Sequence, residues 1–341
     1  MNNTHCNQLV RWQDESLHLF NQNLFETYPD LYTIFMQIGN TSLQKIQTPS
    51  NSSIPLFAKL EYENKWGTIK DRVAFALIYD FINKNKLHKE LTVLEYTGGS
   101  LGLALSEICS ILRIPLEIVV ADYVSTDFIE KMKSRKVRVH TVPKKFGFWG
   151  VMSQAFELAK NPNLHLLYQH ENPINPWIHE ISTATELINQ LRFNGITQTE
   201  TIYLVASVGT GGSLNGLLQG LKKNNFNVKL VLTSPKELPY GSTEPPNGLP
   251  KFAGSGGLGE GRKQTFIQDV EQSIDSHYEY TYEEALKGCH TYFIENQIKI
   301  GSSSGANYLA SLEIVNKIKS GVVVTLFPSL AEPHETKNWC N

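Results

Sequence analysis

Leu60-Glu61-Tyr62-Glu63-Asn64-Lys65-Trp66-Gly67-Thr68-Ile69-Lys70-Asp71-Arg72 is the stretch on which the reading of this chain turns. An extended apolar run, Leu56 to Leu60, leads into it, and the helical pattern Val73, Leu77, Ile78, Phe81 leads out, so Lys70 falls at a strand-to-helix junction. Thr68 suits an N-cap, and Asp71 three residues on makes a capping-box-like pair. That predicts a Lys70 amine in a first helical turn, where the positive end of the helix dipole disfavours an added ammonium charge and lowers its pKa. A lysine depressed in this way is a nucleophile. Taken alone, the stretch reads more readily as a solvated first-turn lysine, and it is the other motifs that overturn this.

Outward from there, composition narrows the class. At 341 residues the chain is long for one core, which predicts two lobes sharing an interface. With 41% hydrophobic residues, 19% charged and a net charge of -2, it has the balance of a globular protein and no basic footprint for nucleic acid. Cys6, Cys109, Cys289 and Cys340 lie too far apart for metal-ligand spacing, so no metal is expected and the thiols read as reduced, with Cys109 in the core. Met1 to Glu15 contains no apolar signal core, and no apolar run approaches the roughly 18 residues of a membrane span. The expected setting is cytoplasmic, away from membranes.

Residues 1–44 read as a helical N-terminal extension, with Leu9, Trp12, Leu17, Phe20, Leu24, Leu31 and Phe35 at loosely helical spacing, packed on the body or on a second subunit. His5 and Cys6 adjoin, but nothing nearby completes a metal or haem site. A polar loop, Thr48 to Ser53, precedes the first strand. Strands are then expected at Leu91 to Tyr96, Leu116 to Ala121, Val137 to Val142, Leu164 to Tyr168, Thr201 to Ala206, Val228 to Thr233 and Val322 to Phe327. Helices are expected at Leu101 to Leu112, Thr126 to Ser134, Val151 to Ala159, Trp177 to Leu191 and Leu214 to Leu221. Pro239 to Arg262 interrupts the pattern, and a helix, a short strand and a helix precede the last strand. Such alternation predicts an α/β fold of twisted, mostly parallel sheets covered by helices.

Open sheets of this kind bind ligands at the carboxyl ends of their strands, and three glycine- or serine-rich turns stand at such positions. Gly209-Thr210-Gly211-Gly212-Ser213 follows a strand and opens a helix, so its N–H groups and helix dipole suit a phosphate. The spacing is not that of a dinucleotide fingerprint, and the next strand runs into Thr233-Ser234 without an acidic residue, so a monophosphate fits better. Thr97-Gly98-Gly99-Ser100-Leu101-Gly102 could hold a carboxylate by N–H groups and hydroxyls, or be a tight turn whose glycines serve helix packing. Gly301-Ser302-Ser303-Ser304-Gly305 could offer a hydroxyl to a ring nitrogen, or only cap a helix.

A depressed lysine, a monophosphate cup and a hydroxyl for a heteroaromatic nitrogen together describe a pyridoxal 5'-phosphate site. Lys59-Leu60-Glu61, Gly67 to Arg72, Gln169 with Asn172-Pro173-Ile174-Asn175-Pro176, Gly209 to Gly212, and Ser303-Ser304-Gly305-Ala306 stand in the order and approximate spacing of a known group. From about Gly39 to Pro328 the chain resembles the cysteine synthase/cystathionine β-synthase family, of the tryptophan-synthase-β-like (fold type II) architecture. The resemblance implies that Lys70 forms the Schiff base, that Gly209, Thr210, Gly211, Gly212 and Ser213 bind the phosphate, and that Ser303 faces the pyridine nitrogen. It implies further that Thr97, Gly98, Gly99, Ser100 and Leu101 close on the substrate carboxylate with help from Gln169, and that Gly254 lies near the substrate. It divides the chain into an N-terminal α/β domain, 45–179, with the lysine and the carboxylate loop, and a C-terminal α/β domain, 180–341, with the phosphate cup and the serine. The implied chemistry is β-replacement on serine or an O-activated serine through an aminoacrylate, with a small nucleophile as second substrate and a homodimer as the assembly.

Departures from the family pattern bear on the substrate. Gly98, Ser100 and Leu101 replace the Ser, Asn and second Thr of the usual Thr-Ser-Gly-Asn-Thr-Gly, and the lost Asn ordinarily meets both cofactor and substrate. Lys65-Trp66-Gly67 stands where Pro-Gly-Gly or Pro-Gly-Ser is common, and Phe327-Pro328-Ser329-Leu330-Ala331-Glu332 where Leu-Pro-Asp-Ser-Gly-Glu is usual. The alternatives left open are a 2,3-diaminopropionate synthase-like enzyme, a serine/threonine dehydratase-like enzyme, or a low-activity pyridoxal-phosphate-binding sensor or partner subunit.

Overall fold

In the computed structural model, which describes residues 10–48, 52–85, 91–239, 241, 249–252, 254, 263–337 and 339, ten strands divide between two sheets. The strands are β1 (Leu43–Ile46), β2 (Leu56–Lys59), β3 (Thr92–Tyr96), β4 (Leu116–Ala121), β5 (Arg138–Val142), β6 (Leu164–Leu166), β7 (Thr201–Ser207), β8 (Asn227–Pro235), β9 (Ile274–Tyr280) and β10 (Val322–Leu326). The larger sheet has the order β1-β2-β10-β7-β8-β9 and the smaller β5-β4-β3-β6. All described pairings are parallel except β1 with β2. Parallel strands require crossovers, and helices supply them.

Those helices are α1 (Trp12–Ser16), α2 (Gln22–Thr27), α3 (Pro29–Gln37), α4 (Lys70–Lys84), α5 (Ser100–Leu112), α6 (Thr126–Ser134), α7 (Gly147–Leu158), α8 (Ile174–Ile178), α9 (Ala184–Phe193), α10 (Gly212–Lys223), α11 (Thr265–Gln268), α12 (Tyr282–Asn296) and α13 (Ser302–Lys317). Each expected strand and helix has its counterpart, with informative differences. Strand β1 was not expected, since four residues are too few to show alternation. It pairs with β2, and β2 pairs with β10, so the strand that opens the α/β body completes the sheet built mainly from residues 201–326. The helix expected from Trp177 to Leu191 contains a π-turn, His179–Thr183, between α8 and α9. The serine turn is not a loop before a helix: α13 begins at Ser302, so Ser303 lies in its first turn.

The N-terminal helices pack on their own chain. Phe20 meets Tyr79 of α4 edge-on at 4.9 Å and Phe35 at 4.9 Å, and Trp12 meets Phe35 at 5.1 Å. The Trp12 indole N–H donates to Ile38 O at 3.0 Å, and Ser16 donates to Ile181 O at 2.9 Å. Cys109 is buried in the core as expected, and Cys289 is buried as well. His5 and Cys6 lie outside the described residues. Among the described residues no helix is long and apolar enough to cross a membrane.

A fully buried charge network anchors the start of α4. Arg72 donates to Glu61 Oε2 at 2.7 Å and to Glu186 Oε1 at 2.7 Å, while Lys59 Nζ lies 2.7 Å from Glu186 Oε2. Thr41 joins through its hydroxyl, which donates to Glu61 Oε1 at 2.8 Å. Burial alone would raise the Glu61 carboxyl, but the Arg72 guanidinium beside it holds it down at about 2. Two cations and two carboxylates, none in water, satisfy one another and tie β2, α4 and α9 together two residues from Lys70.

Candidate active site

Lys70 is the first residue of α4, at the junction expected, though the local geometry differs from a capping box. Ile69 occupies the N-cap position. The Thr68 hydroxyl accepts from Lys70 N at 3.1 Å and donates to Asp71 Oδ1 at 3.1 Å, while Asp71 Oδ2 accepts from Trp66 N at 2.6 Å. Asp71 therefore closes the Trp66-Gly67 turn instead of reaching back to Thr68 N. The Lys70 amine is depressed to about 8, and the cause is burial, opposed by the field of Glu95, where the sequence had pointed to the helix dipole.

A short segment after β10 splices two turns together. Ile69 N donates to Pro328 O at 2.9 Å, Thr68 bridges Ser329, and Gly301 N donates to Ser329 O at 3.0 Å. The lysine turn and the start of α13 are thus held against one connector. Ser303 is buried there, in the first turn of α13.

In the glycine loop after β7, Gly211, at φ +84°, is the N-cap of α10, which starts at Gly212, and as a glycine it offers no side chain to cap the helix. The Thr210 hydroxyl accepts from Gly212 N at 3.2 Å, and the next first-turn N–H groups are left to an outside acceptor. The glycines are required by space. A Cβ on Gly211 would lie 2.5 Å from Ile267 Cγ1, one on Gly212 would lie 2.6 Å from Asn175 Cγ, and one on Gly209 would overlap the Gly254 carbonyl. Thr210 is buried and Ser213 half-buried on the same loop. Gly254 itself, at φ +72°, abuts Gly209.

The Thr97 turn follows β3. Thr97 is buried, and its hydroxyl accepts from Gly99 N at 3.1 Å. Gly98 has open space around it, Ser100 begins α5, and Leu101 points into the core. Gln169 is adjacent: its Nε2 donates to Tyr96 O at 2.9 Å, so its amide braces the turn. Asn175 carries the connection onward, donating through Nδ2 to Gln169 O at 2.8 Å and to Thr210 Oγ1 at 3.1 Å, and its buried Oδ1 has no partner. One bonded path therefore runs from the glycine loop to the Thr97 turn.

Sequence reasoning missed three groups here. Glu95 is fully buried, accepting from Tyr96 N at 2.9 Å and Gln169 N at 3.1 Å, and burial pushes it up to about 8 against those bonds and the pull of Lys70. Tyr96 and His170 form a buried pair, their Oη and Nδ1 2.8 Å apart. Asn175 appeared only as part of a motif. The signal for all three was adjacency to Thr97 and Gln169, which periodicity does not weigh. Among the described residues no group of three or more His, Cys, Asp or Glu side chains is placed to hold a metal ion.

A lysine amine that burial lowers to about 8, a glycine loop at a helix N-terminus that admits no Cβ, and the buried Ser303 in the first turn of α13 fit an aldehyde, a phosphate and a ring nitrogen, the three handles of pyridoxal phosphate. The model of a family described as pyridoxal-phosphate dependent enzyme matches residues 34–329. The cysteine synthase of Staphylococcus aureus (strain N315) is 30% identical over 298 residues, covering 86% of this chain and 92% of that protein. The cysteine synthase of Helicobacter pylori (strain J99) is 29% identical over 307 residues, covering 88% and 96%. Among solved structures, the O-acetylserine dependent cystathionine beta-synthase from Helicobacter pylori superposes with a TM-score of 0.76 at 27% identity, covering 90% of this chain and 97% of that one. The matched span takes in the Lys70 turn, the glycine loop and Ser303 together, and the chain belongs to the pyridoxal-phosphate dependent enzyme family, with the tryptophan-synthase-β-like (fold type II) architecture.

Proposed function

We propose that the chain catalyses β-replacement on serine or an O-activated serine, exchanging the group on Cβ for a small nucleophile such as sulfide, homocysteine or an amine. The observation that carries the reading is the bonded path from Thr210 through Asn175 to Gln169 and Tyr96, which joins a phosphate-sized loop to a carboxylate-sized turn beside a deprotonatable Lys70. The similarity to cysteine synthases and to an O-acetylserine dependent synthase supports it.

Pyridoxal phosphate, when bound, supplies an electron sink that acidifies the substrate's Cα proton and lets the group on Cβ depart. The residues that would hold it are Lys70 at the aldehyde, Gly209 to Ser213 at the phosphate and Ser303 at the ring nitrogen. A serine hydroxyl does not keep that nitrogen protonated as a carboxylate would, which favours loss of a β-substituent over deeper carbanion chemistry. Thr97, the turn through Leu101, and Gln169 grip the substrate carboxylate. The Lys70 amine takes the Cα proton, the Cβ–O bond breaks with its electron pair leaving on oxygen, the nucleophile forms the new bond to Cβ, and Lys70 returns the proton to Cα. In this reading 45–179 and 180–341 are the two domains that enclose the site, the first lending β2 to the sheet of the second, and the enzyme is a cytoplasmic homodimer.

The test begins with borohydride reduction of the holoenzyme and peptide mapping, which should place the cofactor on Lys70. Lys70→Ala should keep some cofactor yet lose several orders of magnitude in turnover. O-Acetylserine, O-phosphoserine and serine are then offered with several nucleophiles, and the new amino acid is detected by mass. A reduced adduct on another lysine would falsify the assignment of Lys70, and absence of any new amino acid across the panel would remove the replacement chemistry.

A further inference from the structure

The geometry points to Tyr96 and His170 as a buried positioning clamp that holds the Thr97 turn in register with Gln169 and so sets the grip on the substrate carboxylate. Tyr96 immediately precedes Thr97, and His170 immediately follows Gln169. The need for such a clamp comes from the sheet. Strands β3 and β6 pair only as far as Leu94 with Leu166, and one further bond, Leu167 N to Leu94 O at 3.0 Å, closes the ladder. Tyr168 then takes φ +59°, a left-handed conformation that turns the chain out of strand geometry. On its other edge β3 stays paired with β4 as far as Thr97 N, which donates to Val119 O at 3.0 Å, but between β3 and the segment after β6 no backbone pairing fixes register beyond Leu167, and Gln169 lies beyond it.

Side chains take over there. Glu95 Oε1 accepts from Tyr96 N at 2.9 Å and Oε2 from Gln169 N at 3.1 Å, a carboxylate standing in for the missing rung. Gln169 Nε2 donates to Tyr96 O at 2.9 Å. The outermost tie is the Tyr96 hydroxyl to His170 Nδ1 at 2.8 Å, with the rings parallel within 5° and 5.2 Å apart. Tyr96 is fully buried and His170 nearly so, with Phe148 against both rings at 5.7 and 5.8 Å. Burial, with the nearby Lys70 charge, drives the His170 imidazole down to about 3 and keeps it neutral, so the tie is one hydrogen bond between two uncharged groups, its direction set by the imidazole tautomer. Two phenyl rings would fill this apolar space with no polar cost. A polar pair there has directionality to contribute, because a donor and an acceptor 2.8 Å apart admit one alignment of the two segments.

The inference rests on the proposal that Thr97 and Gln169 bind the carboxylate, and the experiment separates the two. Holoenzymes of the parent, Thr97→Ala, Tyr96→Phe and the double variant Tyr96→Phe/His170→Phe are titrated with L-serine and O-acetyl-L-serine, following the cofactor's visible absorbance, and cofactor affinity is measured for each. Tyr96→Phe should weaken amino-acid binding roughly 3- to 10-fold, with the loss in KM and not in kcat, and leave cofactor affinity unchanged. The double variant removes the buried nitrogen that Tyr96→Phe orphans and should recover thermal stability while amino-acid binding stays weak. It also serves if the single variant does not fold. Recovery of parental amino-acid affinity in the double variant, parental affinity in Tyr96→Phe, or a parallel loss of cofactor affinity would each overturn the clamp. If Thr97→Ala binds amino acids like the parent, the carboxylate assignment itself is wrong; if Thr97→Ala is weakened and Tyr96→Phe is not, only the clamp is.

Discussion

Replacing Gly212 by alanine should cost cofactor affinity through its clash with Asn175. A Cβ at this position would sit 2.6 Å from Asn175 Cγ and 2.9 Å from its Nδ2, whereas carbon atoms pack comfortably at about 3.5 to 4.0 Å, so the carboxamide must retreat by about 1 Å. Asn175 has nowhere to go without breaking its bonds to Gln169 O at 2.8 Å and Thr210 Oγ1 at 3.1 Å. Two neutral hydrogen bonds at about 0.5 to 1.5 kcal/mol each give about 1 to 3 kcal/mol. With the phosphate held by the loop's N–H groups, as proposed, the cofactor-free loop can relieve the clash by shifting while the loaded loop cannot, so the cost falls on binding. That corresponds to a roughly 5- to 140-fold weaker dissociation constant for pyridoxal phosphate. The assay is reconstitution of stripped protein followed by absorbance and tryptophan fluorescence. Gly98→Ala is the control: its Cβ meets nothing within 4 Å, and cofactor affinity should stay parental. Adding Gly212→Ala to Asn175→Ala should cost little more than Asn175→Ala alone, because the obstructing side chain is gone. Parental affinity in Gly212→Ala, or full additivity in the double variant, would refute the steric account.

Three further outcomes follow from the same geometry. In stripped protein the rate of cofactor attachment should rise with pH through a midpoint near about 8 before levelling off, since burial lowers the Lys70 pKa and only the free amine reacts; a midpoint near the ordinary lysine value of 10.5 would contradict that burial. Glu186→Gln leaves Arg72 and Lys59 under-compensated in a buried site and should lower unfolding stability by about 3 to 5 kcal/mol in a denaturant melt, and a loss below about 1 kcal/mol would show the network to be dispensable. Ser100→Asn restores an amide while filling space, so it should match or exceed the parent on O-acetylserine if the native substrate is small, and lose the native reaction while gaining on small serine esters if the pocket is enlarged; steady-state rates on both distinguish these.

Much of the architecture was legible from local pattern. Apolar alternation and helical period are properties of neighbouring residues, so β4 and α6 fall where the sequence placed them, and the glycine loop before α10 announced itself by composition. Lys70 was found because a strand ending and a helix beginning leave marks within a dozen residues. What tertiary structure decided is what depends on distant partners. Pairing of β2 with β10 joins residues more than two hundred and fifty positions apart, and no local period encodes it. The Lys70 pKa is lowered by enclosure among other segments, which no local pattern shows. Glu95, Tyr96 and His170 look like ordinary strand and loop residues until the ladder between β3 and β6 stops short of them. Hydrogen bonds and desolvation act through space, and only the folded chain says which groups share that space.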